Sequence, residues 1–305
     1  MAIPTSRTQV SAQIDIDIEK CTGCGLCVSV CKDFSLELAN EKARVTTNPI
    51  FGCIACGHCM AICPEDAIRI TGREMSPNDV FKLPANNECS NYNSLLYLMQ
   101  KRRSIREFTD EEVSQENIDA IIEFAKTAPM GLPPSDVHVL VFNGKEKVSA
   151  FSHDFCKHLE SMKWFVSGWF LALMRPFWGK ENDRMFRNFV RPVFRIYING
   201  MRQGKNYLSY DAPLMFYFYG SPYSDPADPI VACTYAMQAA EAQGLGSCML
   251  GAIHPLMQNG RSAAALRKKY GILNKSREGL FLIVGHSAVK YRKSIKRSFA
   301  CVSYC

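Results

Sequence analysis

Apolar positions recur at helical spacing in SQENIDAIIEFAKTAP, residues 114–129. Ile118, Ile121, Ile122 and Ala125 share one face and predict a helix buried along a single stripe. Ser114 suits the N-cap, and Pro129 lies just past the end. VHVLVF at 137–142 is a short apolar run bounded by turn residues, which predicts a strand. PLMFYFYG at 213–220 and GLFLIVGH at 279–286 predict two more strands. Residues 232–243 predict a helix that stops at Gly244. Helices mixed with separated strands predict an α+β domain.

The stretch 156–210 has a different pattern. KWFVSGWFLALMRPFW at 163–178 is strongly apolar but is broken by Arg175 and Pro176. It falls short of the ~20 apolar residues a bilayer span takes, which argues against integral membrane insertion. Arg184, Arg187, Arg191 and Arg195 follow on one face, and Phe186, Val190, Phe194 and Tyr197 on another. Pro192 is placed to start or kink a helix. Three readings fit: an amphipathic helix pair packed on the domain, an aromatic roof over a ligand pocket, or peripheral contact with a membrane surface.

The N-terminal quarter is organised by cysteine. Cys21, Cys24, Cys27 and Cys31 read C-x2-C-x2-C-x3-C, and Cys53, Cys56, Cys59 and Cys63 repeat the pattern 32 residues later. Two-residue gaps let a short loop turn back and present each sulfur, as one corner of a cubane cluster demands. Structural zinc usually takes two C-x2-C pairs separated by a longer gap, so two four-cysteine runs in register fit it poorly. Gly23, Gly25 and Gly57 suit the tight turns that such loops require. The remaining cysteines, Cys89, Cys156, Cys233, Cys248, Cys301 and Cys305, show no ligand spacing.

Charge divides the chain. The net charge of +7 is made of −3 over residues 1–90 and +10 over the rest. A composition shift of this kind predicts two units of different character. Between 161 and 210, nine basic residues face only Glu181 and Asp183. The arginines match no groove-reading motif, which argues against nucleic-acid binding. The first twenty residues lack the apolar core of a secretory signal, so the expected compartment is cytoplasmic and reducing. Residues 73–90 carry two prolines and several turn formers and read as a linker.

Residues 14–72 resemble a bacterial two-[4Fe–4S] ferredoxin along their whole length. In such ferredoxins the last cysteine of each run serves the other cluster. The resemblance therefore implies one cluster on Cys21, Cys24, Cys27 and Cys63, and a second on Cys53, Cys56, Cys59 and Cys31. From residue 91 the chain resembles the nitroreductase family of flavoproteins, which bind FMN and form intertwined homodimers. RRSIREF at 102–108, AQGLGSCMLG at 242–251 and VGHSAVKYRKSIKR at 284–297 carry that match. The second of these is expected to be a glycine-containing turn lining the flavin.

FMN has a dianionic phosphate, a polar chain and a flat apolar ring. Arg102 and Arg106, four apart, suit one helical or turn face that grips it with charge-assisted bonds. Arg103 belongs to the same run, and Ser104 offers a hydroxyl. The resemblance adds Lys296 and Arg297 at the phosphate, with Arg292 and Lys293 as substitutes, and Met249, Leu250 and Gly251 along the ring edge. It also adds Pro129, Met130 and Gly131, although APMGLPPSDV at 128–137 departs from the family pattern, and Pro133 has no side-chain amide.

The expected organisation is α+β throughout. A two-cluster ferredoxin-like domain (1–72) and a linker (73–90) precede a nitroreductase-type domain (91–305), which has a central antiparallel-rich sheet flanked by helices and an apolar and basic insertion at about 156–210. The implied function is an oxidoreductase fed by an external low-potential donor such as a ferredoxin, reducing a nitroaromatic, a quinone or an activated alkene. Electron delivery to a protein partner and direct use of NAD(P)H are the alternatives.

Overall fold

The computed structural model describes residues 3–84 and 91–305. Cys89 and the end of the expected linker lie outside the described residues. The chain divides into two compact units. One comprises 1–90 with 129–138 and 220–228, and the other comprises 91–128, 139–219 and 229–305.

The first unit is built on the 32-residue repeat. Strand β1 (Gln13–Ile16) pairs antiparallel with β4 (Ile68–Thr71), and β2 (Leu36–Ala39) pairs antiparallel with β3 (Lys42–Val45). Two five-residue helices, α1 (Leu26–Val30) and α2 (His58–Ile62), start at the third cysteine loop of each repeat. Each is preceded by a left-handed glycine, Gly25 at φ 74° or Gly57 at φ 75°. Each ends at the fourth cysteine, Cys31 or Cys63. The core holds Leu36, Met60, Ile68 and Ile70, and is otherwise made of alanines and cysteine sulfur. So little apolar volume cannot hold a domain of this size by itself, which leaves room for a structural cofactor.

The loops 129–138 and 220–228 are anchored inside this unit. Ser6 donates its amide to both Asp136 carboxylate oxygens at 3.1 and 3.0 Å. Gly131 donates its amide to Asp228 Oδ1 at 3.1 Å.

In the second unit a four-stranded sheet runs in the order β5 (Val137–Asn143), β6 (Leu214–Gly220), β8 (Gly279–Gly285), β7 (Gly246–Leu250). Both β6 and β7 are antiparallel to β8. Every residue of β6 is buried, as its unbroken apolar run demands of a central strand. The helices that follow the first unit in chain order are α3 (Tyr92–Lys101), α4 (Gln115–Lys126), α5 (Lys145–Ser161), α6 (Gly168–Met185), α7 (Arg191–Arg202), α8 (Asp228–Ala242), α9 (Ile253–Leu256) and α10 (Arg261–Lys269). The Ser114 hydroxyl caps α4 by accepting from the Asn117 amide at 3.2 Å, and Ile118, Ile121 and Ala125 are buried. Aromatic residues fill the core, with Tyr217 stacked on Phe281 at 4.0 Å between centroids.

Two stretches of the family match take definite form. Within 242–251 the glycine-containing turn lies at Gln243 and Gly244, the latter at φ 79°, and residues 246–250 continue as strand β7. The stretch 102–108, for which a helical or a turn face was open, is extended: Arg102 caps α3, Ser104 bridges to Ser247, and Phe108 bridges to Ser287. Missing side chains explain the close fit. A Cβ on Gly246 would sit 2.8 Å from Ile105, and one on Gly285 would sit 2.8 Å from the Phe108 ring. Helix α8 also begins four residues earlier than its apolar pattern suggested.

Residues 156–210 fold as helices. Between α5 and α6 lies a 3-10 turn (Lys163–Val166), and between α6 and α7 a single π turn (Phe186–Val190). Gly179, at φ 80°, breaks α6 after Pro176, and Trp178 stacks on Phe186 at 4.7 Å. Pro192 occupies the first turn of α7, where its missing N–H is harmless. Among the described residues, no helix is long and apolar enough to cross a membrane.

Candidate functional site

In the first unit the two cysteine runs interleave. Cys21, Cys24, Cys27 and Cys63 line one cavity, together with Ala43 and Ile68. Burial pushes the Cys27 thiol up, and the sulfurs of Cys21, Cys24 and Cys63 push it further. Cys59 is pushed up to about 12, first by burial and then by Cys53, Cys56 and Cys31. Each fourth cysteine thus faces the other run's first three. Backbone amides point at these sulfurs: Ala43 donates to Cys21 Sγ at 3.4 Å and Ala67 to Cys63 Sγ at 3.3 Å.

This donor set fits an iron–sulfur cube. Buried thiols that resist ionisation alone become thiolates only beside concentrated positive charge, and a metal cluster supplies it. Among the described residues, no three Cys, His, Asp or Glu side chains converge as they would round a single metal ion. His58, the first residue of α2, is exposed. No disulfide joins the described cysteines.

In the second unit, Arg102, Arg103, Lys296 and Arg297 line one cavity of about 550 Å³, with Met99, Gln100 and Ser294. Arg292 and Lys293 are not among its lining residues. The end of α3 and the extended chain after β8 bring the four cations together. Arg103 is buried and donates to Ser294 Oγ at 2.8 Å, and Ser294 in turn donates to the Gln100 carbonyl at 2.8 Å. Burial, then Arg297, lowers the Arg102 pKa, with Glu241 opposing. Glu241 is the buried acid nearby, itself pushed up by burial against the pull of Lys101, Arg102 and Arg103.

This cavity fits a phosphate dianion. Positive charge is in excess, and Arg103 Nε is buried without a hydrogen-bond partner. Ser247 Oγ, beside the Ser104 bridge, is likewise buried and unpartnered. Ser104 bonds to Cys248 of β7, whose thiol is pushed up by burial against Arg106 and Arg102. The Arg106 guanidinium lies 5.7 Å from the Tyr210 ring centroid. Met249 and Leu250 are half-buried at the end of β7, and Gly251 is exposed just beyond.

Pro129, Met130 and Gly131 belong to the first unit, where Ser135 Oγ donates to Met130 Sδ at 2.6 Å. Sequence reasoning missed Glu241, Ser247 and Ser294. Ser247 and Ser294 stood inside the quoted motifs, but an isolated serine carries no spacing signal. Glu241, paired with Lys101 at 3.8 Å, sits in a helix of mostly apolar sequence, where a lone acid was the available clue.

Comparison with known proteins decides the family. A model described as "Nitroreductase family" matches residues 99–286. The chain belongs to the nitroreductase family. A second model, a 4Fe-4S dicluster domain, matches residues 13–64, so this nitroreductase carries a ferredoxin-type domain fused at its N-terminal side. The fold agrees. A nitroreductase with bound FMN from Desulfitobacterium hafniense DCB-2 is 21% identical, covers 70% of this chain and 100% of its own, and superposes with a TM-score of 0.51. A nitroreductase with bound FMN from Bacteroides fragilis NCTC 9343 is 14% identical over 70% of this chain and 100% of its own, with a TM-score of 0.48. No curated protein matches the chain.

Proposed function

We propose that this nitroreductase-family oxidoreductase takes electrons from an external low-potential donor such as a ferredoxin and passes them to a small organic acceptor. A nitroaromatic, a quinone or an activated alkene has suitable chemistry. The observation that carries the reading is one chain with two crossed sets of four thiols and, on a nitroreductase fold, a cavity lined by four cations.

When bound, two [4Fe–4S] clusters supply one-electron transfer, and FMN exchanges single electrons for pairs. The residues have separate tasks. Cys21, Cys24, Cys27 and Cys63 would hold the first cluster, and Cys53, Cys56, Cys59 and Cys31 the second. Arg102, Arg103, Lys296 and Arg297 would hold the FMN phosphate by charge-assisted bonds. Ser104 and Arg106 would serve the polar chain and ring edge, as would Met249, Leu250 and Gly251. Pro129, Met130 and Gly131 remain proposed ring contacts. Residues 1–72 would form the cluster domain and 91–305 the flavin domain of a cytoplasmic homodimer.

The test is anaerobic purification with iron, sulfide and flavin assayed together, followed by stopped-flow mixing with a reduced donor protein or with NADPH. The expected result is both cofactor types in one chain and bleaching by the donor protein. Zinc in place of iron, or a colourless protein, removes the reading. Flavin bleaching by NADPH while the clusters stay oxidised contradicts the proposed electron order and favours direct use of NAD(P)H.

A further inference from the structure

The segment between α5 and β6 holds far more positive charge than it can neutralise. Asp183 is one of only two acids between 161 and 210, and Arg187 holds it at 2.8 and 3.0 Å. The other cations must find counter-charge elsewhere, and three of them converge. Arg191 and Arg195 stand one turn apart on α7, and Lys163 comes from the 3-10 turn that precedes α6. Together they line a cavity of about 330 Å³. Among the described residues, none of the three side chains has an ion-pair or hydrogen-bond partner. Asn199, a further turn along α7, adds an amide to the lining. Phe194 and Ile198, both 2% exposed, supply its apolar wall.

Lys163 and Arg195 are exposed and Arg191 is half-buried, so water and salt screen their mutual repulsion in part, and an anion held between them relieves the rest. Two guanidiniums one turn apart offer planar forks that match a carboxylate or a phosphate. The volume sits at the lower end of small-molecule sites, which are mostly apolar with a few placed polar groups. We propose that this cavity binds a small organic anion: a carboxylate or phosphate on an apolar, ring-sized body. It shares no lining residue with the cavity of Arg102 and Arg297, so the proposal stands apart from the flavin reading.

The experiment uses the full-length protein saturated with FMN and titrated with benzoate and with phenyl phosphate, followed by calorimetry and ligand-observed NMR. Benzyl alcohol and inorganic phosphate are the controls. Both organic anions should bind, with benzyl alcohol silent and inorganic phosphate weaker. The Arg191→Gln/Arg195→Gln protein should bind them at least about tenfold more weakly, the loss expected for a charge-assisted bond. Lys163→Gln, on a separate element, should weaken both in the same direction and serves if the double variant misfolds. Lys180→Gln, a cation of the same segment outside the lining, should leave the binding unchanged. The proposal is overturned if neither anion binds, if the lining variants titrate like the parent, if inorganic phosphate binds as tightly as phenyl phosphate, or if Lys180→Gln removes the binding as fully as the lining variants do.

Discussion

The guanidinium of Arg73 donates twice to the Pro133 carbonyl, from Nη2 at 2.8 Å and from Nε at 3.3 Å. The same side chain, 5% exposed, donates to the carbonyls of Ile54, Ile3 and Val10 at 3.2, 3.0 and 2.9 Å. One cation therefore ties the N-terminal segment and the loop beside Cys53 to the 129–138 loop, and only carbonyls satisfy it. Arg73→Gln leaves several buried acceptors unpaired. It should lower the stability of this unit by ~2–4 kcal/mol, since hydrogen bonds to charged groups contribute about 1.5–3 each. Anaerobic urea titration followed at the visible cluster absorbance reads the change.

The shared cavity of Cys63 with Cys21, Cys24 and Cys27 predicts an asymmetric pair of double variants. Cys21→Ser/Cys63→Ser should lose one cluster and keep about half of the iron, whereas Cys21→Ser/Cys31→Ser should lose both. Iron and sulfide analysis of anaerobic protein gives the answer. The reverse order would mean that each run holds its own cluster.

Gly23 and Ala55 occupy equivalent places in the repeat, both with positive φ, at 72° and 61°. A Cβ at Gly23 would lie 1.9 Å from the Glu41 carbonyl oxygen. Gly23→Ala should therefore cost ~1–3 kcal/mol or prevent cluster assembly. Ala55→Gly should change stability by less than about 1 kcal/mol, because relief of left-handed strain offsets the lost buried methyl. Denaturation midpoints of the two variants make the comparison.

Arg102 faces Arg297 and Arg103 with one buried acid nearby. Arg102→Gln should weaken FMN binding by about tenfold or more, the worth of a charge-assisted bond. The salt dependence of binding should fall with it. Quenching of flavin fluorescence on titration into apoprotein measures both.

Asp154 supplies a pH dependence with a definite sign. Burial pushes its carboxyl up, but bonds from Lys269 and from the Tyr270 hydroxyl, the latter at 2.6 Å, outweigh this and hold the pKa below the usual carboxylate value. The folded state thus binds this proton less readily than the unfolded chain. Its stabilisation is complete above the unfolded value of about 4 and disappears as pH falls through the lower folded value. Asp154→Asn should flatten the acid limb of a plot of urea midpoint against pH, and a parallel limb in the variant would contradict the assignment.

Much of the fold was legible because it was written locally. The helix from Gln115 to Lys126 and the strands at 137–143, 214–220 and 279–285 stand where periodicity placed them. Strand β7 was hidden because GSCML is small, short and free of β-branched residues. What makes it a strand is β8 alongside and Ile105 pressed against a missing Cβ at Gly246. The extended course of 102–108 has the same origin, since its partners Ser247 and Ser287 lie far along the chain.

By itself the sequence determined the two cysteine runs, their constant offset and the glycine turns at Gly25 and Gly57, because metal-ligand spacing and left-handed turns are properties of a few adjacent residues. The family resemblances implied that Cys63 joins Cys21 and that Arg297 joins Arg102, but residue spacing did not, and tertiary structure alone decided that Arg73 reaches Pro133. Contacts closed over tens to hundreds of residues leave no period in the chain. They follow only from how buried faces pack and from which polar groups must be satisfied once water is excluded.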